Sequence, residues 1–555
     1  MSRRRSKQRK QGLAAEEHRG AGSSQGAAKP AVSDASGEEK EADGGLTSKE
    51  SVAAALALLL VFACLATWFQ FDFGDVMGYY SMFAEALLNG RLFLNITPDQ
   101  AQLMDMIPYQ GRYYLQWGPT PGLFHLIPRL FGVNLSDRVA CLLAGWISAL
   151  LFLEITLALR RRYFETLPKW VCIVSFWMFA LGSPTALVVL RPTIYNESIA
   201  IAAAGFLGAF AAFLRYQRKP SVRWALLCGL GVTVAFSTRI TLAIYAVMLF
   251  VGIAAVEWMR RERLQPAVGR LAVYVVPIVL GIGLQLAYNY GRFGSPWSYF
   301  PEYNPESAAL LPAFRLERIP ENIRHYLLSL PEVSGDFPWV AHRGWQPIEM
   351  VIRAEAMSSM FLGTPVLLLA FGGLRLFRPS AGYPLDLKLA VGLAGASGLL
   401  VFAVMLTFHS ASRRYMQDFL PMLLVVAFVG AASLWKPGAN WRLWRAPATV
   451  LLLYMAAFHA HLAFMHSFVS LPSDLNVVRA VADFSPWVRR VLPGPNLDRE
   501  EAVARNDLGT LYLRQRRFQQ ALAEFHRAEE LMPDSDVIQK NVRLAERLTG
   551  RTNSP

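Results

Sequence analysis

The sequence predicts an all-α, polytopic helical membrane protein of about eleven spans, closed by a small α-helical unit at the C-terminus. Three observations carry this. The chain has 555 residues, 54% of them hydrophobic, with a mean hydropathy of +0.29, above what a soluble domain presents. Its apolar residues gather into runs of about 20, the length that crosses a hydrocarbon core. The net charge of +14 sits in short basic blocks between those runs, as polytopic membrane proteins require. A nucleic-acid partner would need a continuous basic face on a soluble domain, and none is visible.

Residues 1–50 are polar and open on Arg3-Arg4-Arg5-Ser6-Lys7. Such a composition buries no core, so a disordered basic tail is expected. The apolar run at 52–70 has no convincing cleavage site and reads as an uncleaved first span. Further spans are expected near 138–158, 170–190, 197–214, 223–238, 240–257, 270–288, 357–374, 388–407, 417–435 and 447–467. The fifth and sixth share one apolar stretch broken at Ser237-Thr238-Arg239. An arginine at the bilayer centre costs roughly 2.5–3.5 kcal/mol, which favours a hairpin there. Cys64, Cys141, Cys172 and Cys228 all lie in apolar runs and read as small buried hydrophobes.

The basic blocks set orientation. Arg160-Arg161-Arg162, Arg215/Arg218/Lys219, Arg260/Arg261/Arg263, Arg375/Arg378 and Lys436/Arg442/Arg445 all fall on the side of the N-terminal tail. Short loops rich in Lys and Arg stay cytoplasmic. A plasma or inner membrane protein with a cytoplasmic N-terminus follows. Membrane lipid surrounds the domain at 51–470, and the outer side receives long loops at about 71–137 and 289–356. An odd span count sends everything after 467 to the outer side. There, a linker at 471–500 leads to a helical unit at 501–549. Leu508, Gly509, Tyr512, Ala521, Phe525, Ala528 and Pro533 carry the spacing of one tetratricopeptide repeat, a type of unit that recruits a protein partner or remains a solvated hairpin.

Unusual polar residues collect on the outer side. The first loop begins Phe71-Asp72-Phe73-Gly74-Asp75 and runs into an amphipathic helix from Tyr79 to Leu88 that ends at Asn89-Gly90. Asp72 and Asp75 either cap that helix or carry chemistry. Gly111 to Gly122 is rich in aromatic residues, Gly and Pro, and suits a rigid loop at headgroup depth. Later outer mouths present Arg191 and Glu197, Arg239 at the hairpin, Arg292 after the seventh span, and Arg413 with Tyr415 after the ninth. Guanidinium forks match phosphate oxygens, and carboxylates act as bases or hold a divalent cation. Asn95, Asn134 and Asn196 each open an Asn-x-Ser/Thr sequon on this side.

These segments resemble the GT-C superfamily of integral-membrane glycosyltransferases. That group includes the dolichyl-phosphate-mannose protein mannosyltransferases and the bacterial enzyme that transfers aminoarabinose to lipid A. GDVMGYYSMFAEALLNGRLFL is similar to the family's first-loop pattern, with Asp75 at the acidic position and Val76 where a second acid often stands. YNYGRFGSPW and SRRYMQDFLP resemble segments of bacterial members, and the likeness covers roughly residues 52–467. The resemblance implies inverting transfer of a sugar from a polyprenyl-phosphate donor to an acceptor outside the cytoplasm. In that scheme Asp75 is the base. Asp72 or Glu197 holds the acceptor or a metal, and Arg191, Arg239, Arg292 or Arg413 neutralises the leaving phosphate. Whether a divalent cation joins Asp72, Asp75 and Glu197 stays open. A transporter or lipid flippase, or a non-catalytic scaffold acting through the C-terminal repeat, are the competing classes. A transporter places its ionisable residues at the midplane of paired repeats, whereas here the charges lie at one face.

Overall fold

The computed structural model describes residues 48–97, 106–261, 264–298, 313–333, 340, 341, 353, 354, 358–435, 441–470, 476–480, 483, 497–514 and 517–552. The N-terminal tail lies outside them. All eleven expected apolar stretches carry helix. Their helices are α1 (Lys49–Ala66), α4 (Asp137–Tyr163), α5 (Lys169–Leu181) with α6 (Pro184–Leu190), α7 (Ile194–Arg218), α8 (Val222–Thr238), α9 (Ala243–Arg260), α10 (Leu264–Phe293), short turns over 360–377, α11 (Leu385–Leu406), α12 (Leu420–Leu434) and α13 (Trp441–Ser470). The loop between α1 and α4 adds α2 (Tyr79–Leu88) and α3 (Thr120–Leu130).

Among the described residues, seven helices are long and apolar enough to cross a membrane, or eight if one bent pair counts as a span, and the chain is an integral, multi-pass membrane protein. Two expected spans differ from simple rods. The stretch at 170–190 is a pair, α5 and α6, bent by 51°. Gly182 ends α5, and Ser183 then accepts from the Thr185 amide at 3.2 Å while Pro184 opens α6, a helix start that proline favours. The stretch at 357–374 is a chain of short 3-10 and α turns interrupted by Thr364-Pro365, because proline cannot supply the amide that continues a helix. The break expected at Ser237–Arg239 is present. α8 stops at Thr238, Arg239 is extended, and a 3-10 turn leads into α9.

α7 is the centre of the bundle. Its apolar window is 83% buried, against 22% for α1 and α10, which leave most of their apolar surface free for lipid. Its Ala-rich face lets neighbours approach to backbone contact. A Cβ on Gly205 would lie 2.8 Å from the Gly231 carbonyl of α8, and one on Gly231 would lie 2.6 Å from the Gly205 carbonyl.

The loop between α1 and α4 carries regular structure over part of the segment expected as a rigid interfacial loop. Strands β1 (Ile107–Tyr109) and β2 (Arg112–Tyr114) pair antiparallel through Gln110 and Gly111, both at positive φ, as two-residue hairpins require. The C-terminal unit is three helices, α14 (Leu497–Arg514), α15 (Phe518–Leu531) and α16 (Asp536–Thr552), around Ala502, Ala521, Phe525, Ala528, Ile538, Val542 and Ala545. Gly509 admits the Phe525 ring, since a Cβ there would sit 2.6 Å from it. Phe525→Ala is therefore expected to destabilise this unit by about 3–5 kcal/mol. Limited proteolysis checks this, with cleavage rising in the last 60 or so residues while the membrane part stays intact.

The segment expected as a plain linker also carries order. Residues 476–480 are helical, and Asn476 donates to the Asp72 carbonyl at 2.8 Å. Val478 packs with Leu508, Phe464 and Tyr512. The C-terminal unit thereby packs on this short helix, which in turn bonds to the root of the loop that follows α1.

Candidate active site

α2 starts and stops where its sequence says it should. Gly78 precedes it at φ +68, and Gly90 follows it in the left-handed region. Its capping, however, is not done by Asp75. The Asp137 carboxylate accepts from the amides of Val76 (2.9 Å), Met77 (2.7 Å) and Gly78 (3.1 Å). Asp75 Oδ1 in turn accepts from the Asp137 amide at 2.8 Å, at the N-terminus of α4, where a carboxylate is favoured. The two acids form a reciprocal lock between the α1–α4 loop and α4. Asp75 is exposed and Asp137 buried.

Asp72 is turned to another task. Its Oδ1 accepts from the Gly74 amide at 3.0 Å, and Arg479 stands 4.0 Å from its Oδ2. It shapes the turn ahead of Asp75 and meets the C-terminal segment.

Glu197 opens the first turn of α7 and is wholly buried. Its Oε1 lies 2.5 Å from His125 Nε2 of α3, and its Oε2 finds no hydrogen-bond partner among the described residues. His125 Nδ1 reaches the Leu135 carbonyl at 3.0 Å, and its ring lies 6.2 Å from that of Tyr80. Burial works against charging His125, but the hydrogen bond and charge of Glu197, helped by the Leu135 carbonyl and Asp75, outweigh it and raise its pKa above the ordinary 6.5. A raised folded-state pKa stabilises the fold in full below the unfolded value and loses that stabilisation as pH rises through the shifted one. The thermal-midpoint gap between wild type and His125→Phe should accordingly shrink as pH climbs from below 6.5 through the shifted value. A gap that widens with pH would reverse this reading.

The guanidinium groups divide into two sets. Arg239 donates to Asp418 Oδ2 through Nε (3.0 Å) and Nη2 (2.7 Å) and lies 5.2 Å over the Tyr415 ring. The adjacent Arg414 stacks 4.3 Å over Tyr195, whose other neighbours are Trp117 (ring centroids 4.9 Å apart) and Gln116 (3.4 Å). The α1–α4 loop reaches this group because Thr120 bonds to Ser237 at 2.7 Å, and a Cβ on Gly118 would meet the Ser237 carbonyl at 2.2 Å. Arg239, Arg414, Tyr415, Tyr195 and Trp117 therefore share one end of the bundle with the Asp75–Asp137 and His125–Glu197 pairs.

The second set serves structure. Arg292 donates to the Leu115 carbonyl (2.5 Å) and Asn289 Oδ1 (2.7 Å), and lies 4.0 Å over Tyr288, tying α10 to the hairpin. Arg413 is 0% exposed. Its Nη1 donates to the Ser358 (2.7 Å) and Ser359 (3.1 Å) carbonyls, and its Nη2 lies 3.0 Å from His459 Nε2. Burial lowers its pKa to about 9. It stitches segments together rather than opening toward an anion. Arg191 is buried at the end of α6, where its carbonyl takes the Asn196 amide at 2.7 Å. Asn196 is itself 0% exposed, so its sequon offers no glycan acceptor. Among the described residues no three of His, Cys, Asp and Glu gather as a cation set. Asp72, Asp75 and Glu197 each hold separate protein partners.

Sequence reasoning missed His125 and Asp137. His125 sits alone in the apolar TPGLFHLIPRL, where a lone histidine resembles core. Asp137 follows Ser136, a sequence that by itself signals only a helix start. Ser136 does serve as the cap, accepting from Val139, which leaves the Asp137 side chain free to cross to the first loop.

The side chains thus define a multi-span helical membrane protein with an acidic and guanidinium-bearing cluster at one end. No protein-family model and no curated protein matches the chain. Among solved structures it is similar to ArnT from Cupriavidus metallidurans in the apo state, at 14% identity and TM-score 0.39 over 90% of this chain and 75% of that one. It is also similar to the Archaeoglobus fulgidus oligosaccharyltransferase in the apo form, at 12% identity and TM-score 0.39 over 80% and 59%. A third similarity is to Archaeoglobus fulgidus AglB in complex with an inhibitory peptide and a dolichol-phosphate, at 11% identity and TM-score 0.38 over 82% and 60%. Likenesses of this depth carry no argument about chemistry, which stands on the side chains above.

Proposed function

We propose that the chain is a glycosyltransferase moving a sugar from a polyprenyl-phosphate donor to an acceptor on the side of the membrane opposite the arginine-rich turns. The observation that carries the reading is the convergence at one end of the bundle of an exposed carboxylate, Asp75, with one oxygen anchored, and the Arg239–Tyr415 and Arg414–Tyr195 pairs. The acceptor hydroxyl attacks the anomeric carbon from the face opposite the phosphate. Its proton passes to Asp75, the bond from that carbon to the phosphate oxygen breaks, and the phosphate leaves with the electron pair. Asp75 Oδ1 is fixed by the Asp137 amide, and Oδ2 accepts the proton. Arg239 and Arg414 meet the charge growing on the phosphate. The Oε2 of Glu197, without a hydrogen-bond partner among the described residues, holds a hydroxyl of acceptor or sugar, and His125 keeps that carboxylate oriented. Trp117 and Tyr195 offer ring faces to the sugar. The three-helix C-terminal unit, with its repeat-like core, presents a surface for a protein partner.

The test is mass spectrometry of envelope glycans and glycoproteins from a strain lacking the gene, with and without the wild-type chain restored. A sugar that disappears and returns supports the reading. Unchanged glycans across a broad survey sink it.

A further inference from the structure

We propose that the end of the bundle opposite the candidate active site holds a phospholipid whose headgroup carries a phosphodiester and a terminal hydrogen-bond donor. A cavity of about 420 Å³ opens there between the ends of α4, α7, α9 and α11, lined by Arg162, Gln217, Val256, Met259, Arg260, Leu385 and Asp386. Val256, Met259 and Leu385 give it an apolar wall. Two guanidiniums against one carboxylate leave the polar wall net positive, which suits one phosphodiester charge.

The polar groups are held, not floating. Arg162 pairs with Asp386. Arg260 Nη2 donates to the Gln217 and Arg218 carbonyls, each at 2.9 Å. Gln217 is 3% exposed, and its Nε2 donates to the Asp386 carbonyl at 3.2 Å. That bond fixes which end of the amide is oxygen, and the Gln217 Oε1 then has no hydrogen-bond partner among the described residues. A buried carbonyl oxygen left without a donor is destabilising, so a donor-bearing ligand gains from filling the cavity. An ammonium or hydroxyl at the headgroup's end supplies one. A quaternary ammonium does not.

The cavity also lies at headgroup depth. Trp258, on the same turn as Met259 and Arg260, is 84% exposed. Trp224 stands near the same end of the bundle, with Arg215 (5.1 Å) and Arg223 (5.0 Å) over its ring. Tryptophan and arginine together mark the boundary where hydrocarbon meets phosphate. A ligand seated there has its apolar part along α9 and its phosphate against Arg162 and Arg260.

The test uses the purified full chain in detergent, stripped of lipid and offered phosphatidylethanolamine, phosphatidylglycerol or phosphatidylcholine of matched acyl chains. Retention is read by native mass spectrometry. Ethanolamine and glycerol headgroups should be retained about ten-fold better than choline. Gln217→Leu should remove that preference, Arg260→Ala should weaken all three, and Met259→Trp, which fills the cavity without touching a charge, should abolish selective retention. Equal retention of choline lipid, or a preference that survives Met259→Trp, overturns the proposal. It is also overturned if inorganic phosphate raises the thermal midpoint of wild type but not of Met259→Trp while no lipid is preferred, because the site then belongs to a free phosphate.

Discussion

Asp75→Asn should lower sugar transfer by about 10²–10⁴-fold while leaving the fold unchanged. The amide oxygen of asparagine still accepts the Asp137 amide that Asp75 Oδ1 accepts at 2.8 Å, so the lock between the first loop and α4 survives. The capacity to take a proton does not. Asp75→Ala differs: it loses the same activity and also about 1 kcal/mol of capping. The readout is restoration of the glycan missing from the deletion strain, with thermal unfolding in detergent run alongside. If Asp75→Asn restores that glycan fully, Asp75 is a cap and nothing more, and the base must be sought elsewhere.

The second large effect lies at Arg239. Its side chain is the ion partner of Asp418, whose carboxylate is 1% exposed. Arg239→Ala leaves that carboxylate buried and unpaired, at a cost of about 3–5 kcal/mol, and removes a cation from the proposed phosphate site. The double replacement Arg239→Met with Asp418→Leu separates the two consequences. Replacing both partners by apolar groups of similar size is often neutral or stabilising, so the thermal midpoint should return toward wild type while transfer stays lost. Recovery of transfer in the double variant would make Arg239 a structural residue only.

How far the sequence could be read depends on what each residue had to reveal. α2 was legible to its last residue because apolar spacing and Asn89-Gly90 are local signals. The hairpin at Arg239 was legible because charge in an apolar run is costly whatever surrounds it. The bend in α5–α6 was not, since Ser183-Pro184 reads equally as a kink or a start. The site divided in the same way. Asp75, Glu197, Arg239 and Tyr415 stand out as polar groups at span mouths, and the structure brings them to one end of the bundle. The burial of Arg413 under the Ser358 and Ser359 carbonyls is a tertiary fact with no sequence signature. Arg413 and Arg414 are neighbours of identical chemistry, yet one is sealed in the interior and the other stacks on Tyr195. The Asp75–Asp137 exchange joins residues 62 apart, beyond any local pattern.

The short helix at 476–480 bears on how the polypeptide can be shortened. Asn476 and Arg479 both reach Asp72, three residues ahead of the proposed base. A chain cut just before Leu497 keeps both residues, whereas a cut before Asn476 removes them and frees the loop segment that carries Asp75. A minimal catalytic fragment therefore needs a boundary beyond residue 480, and lost activity in a shorter one would report a slackened loop rather than a role for the three terminal helices.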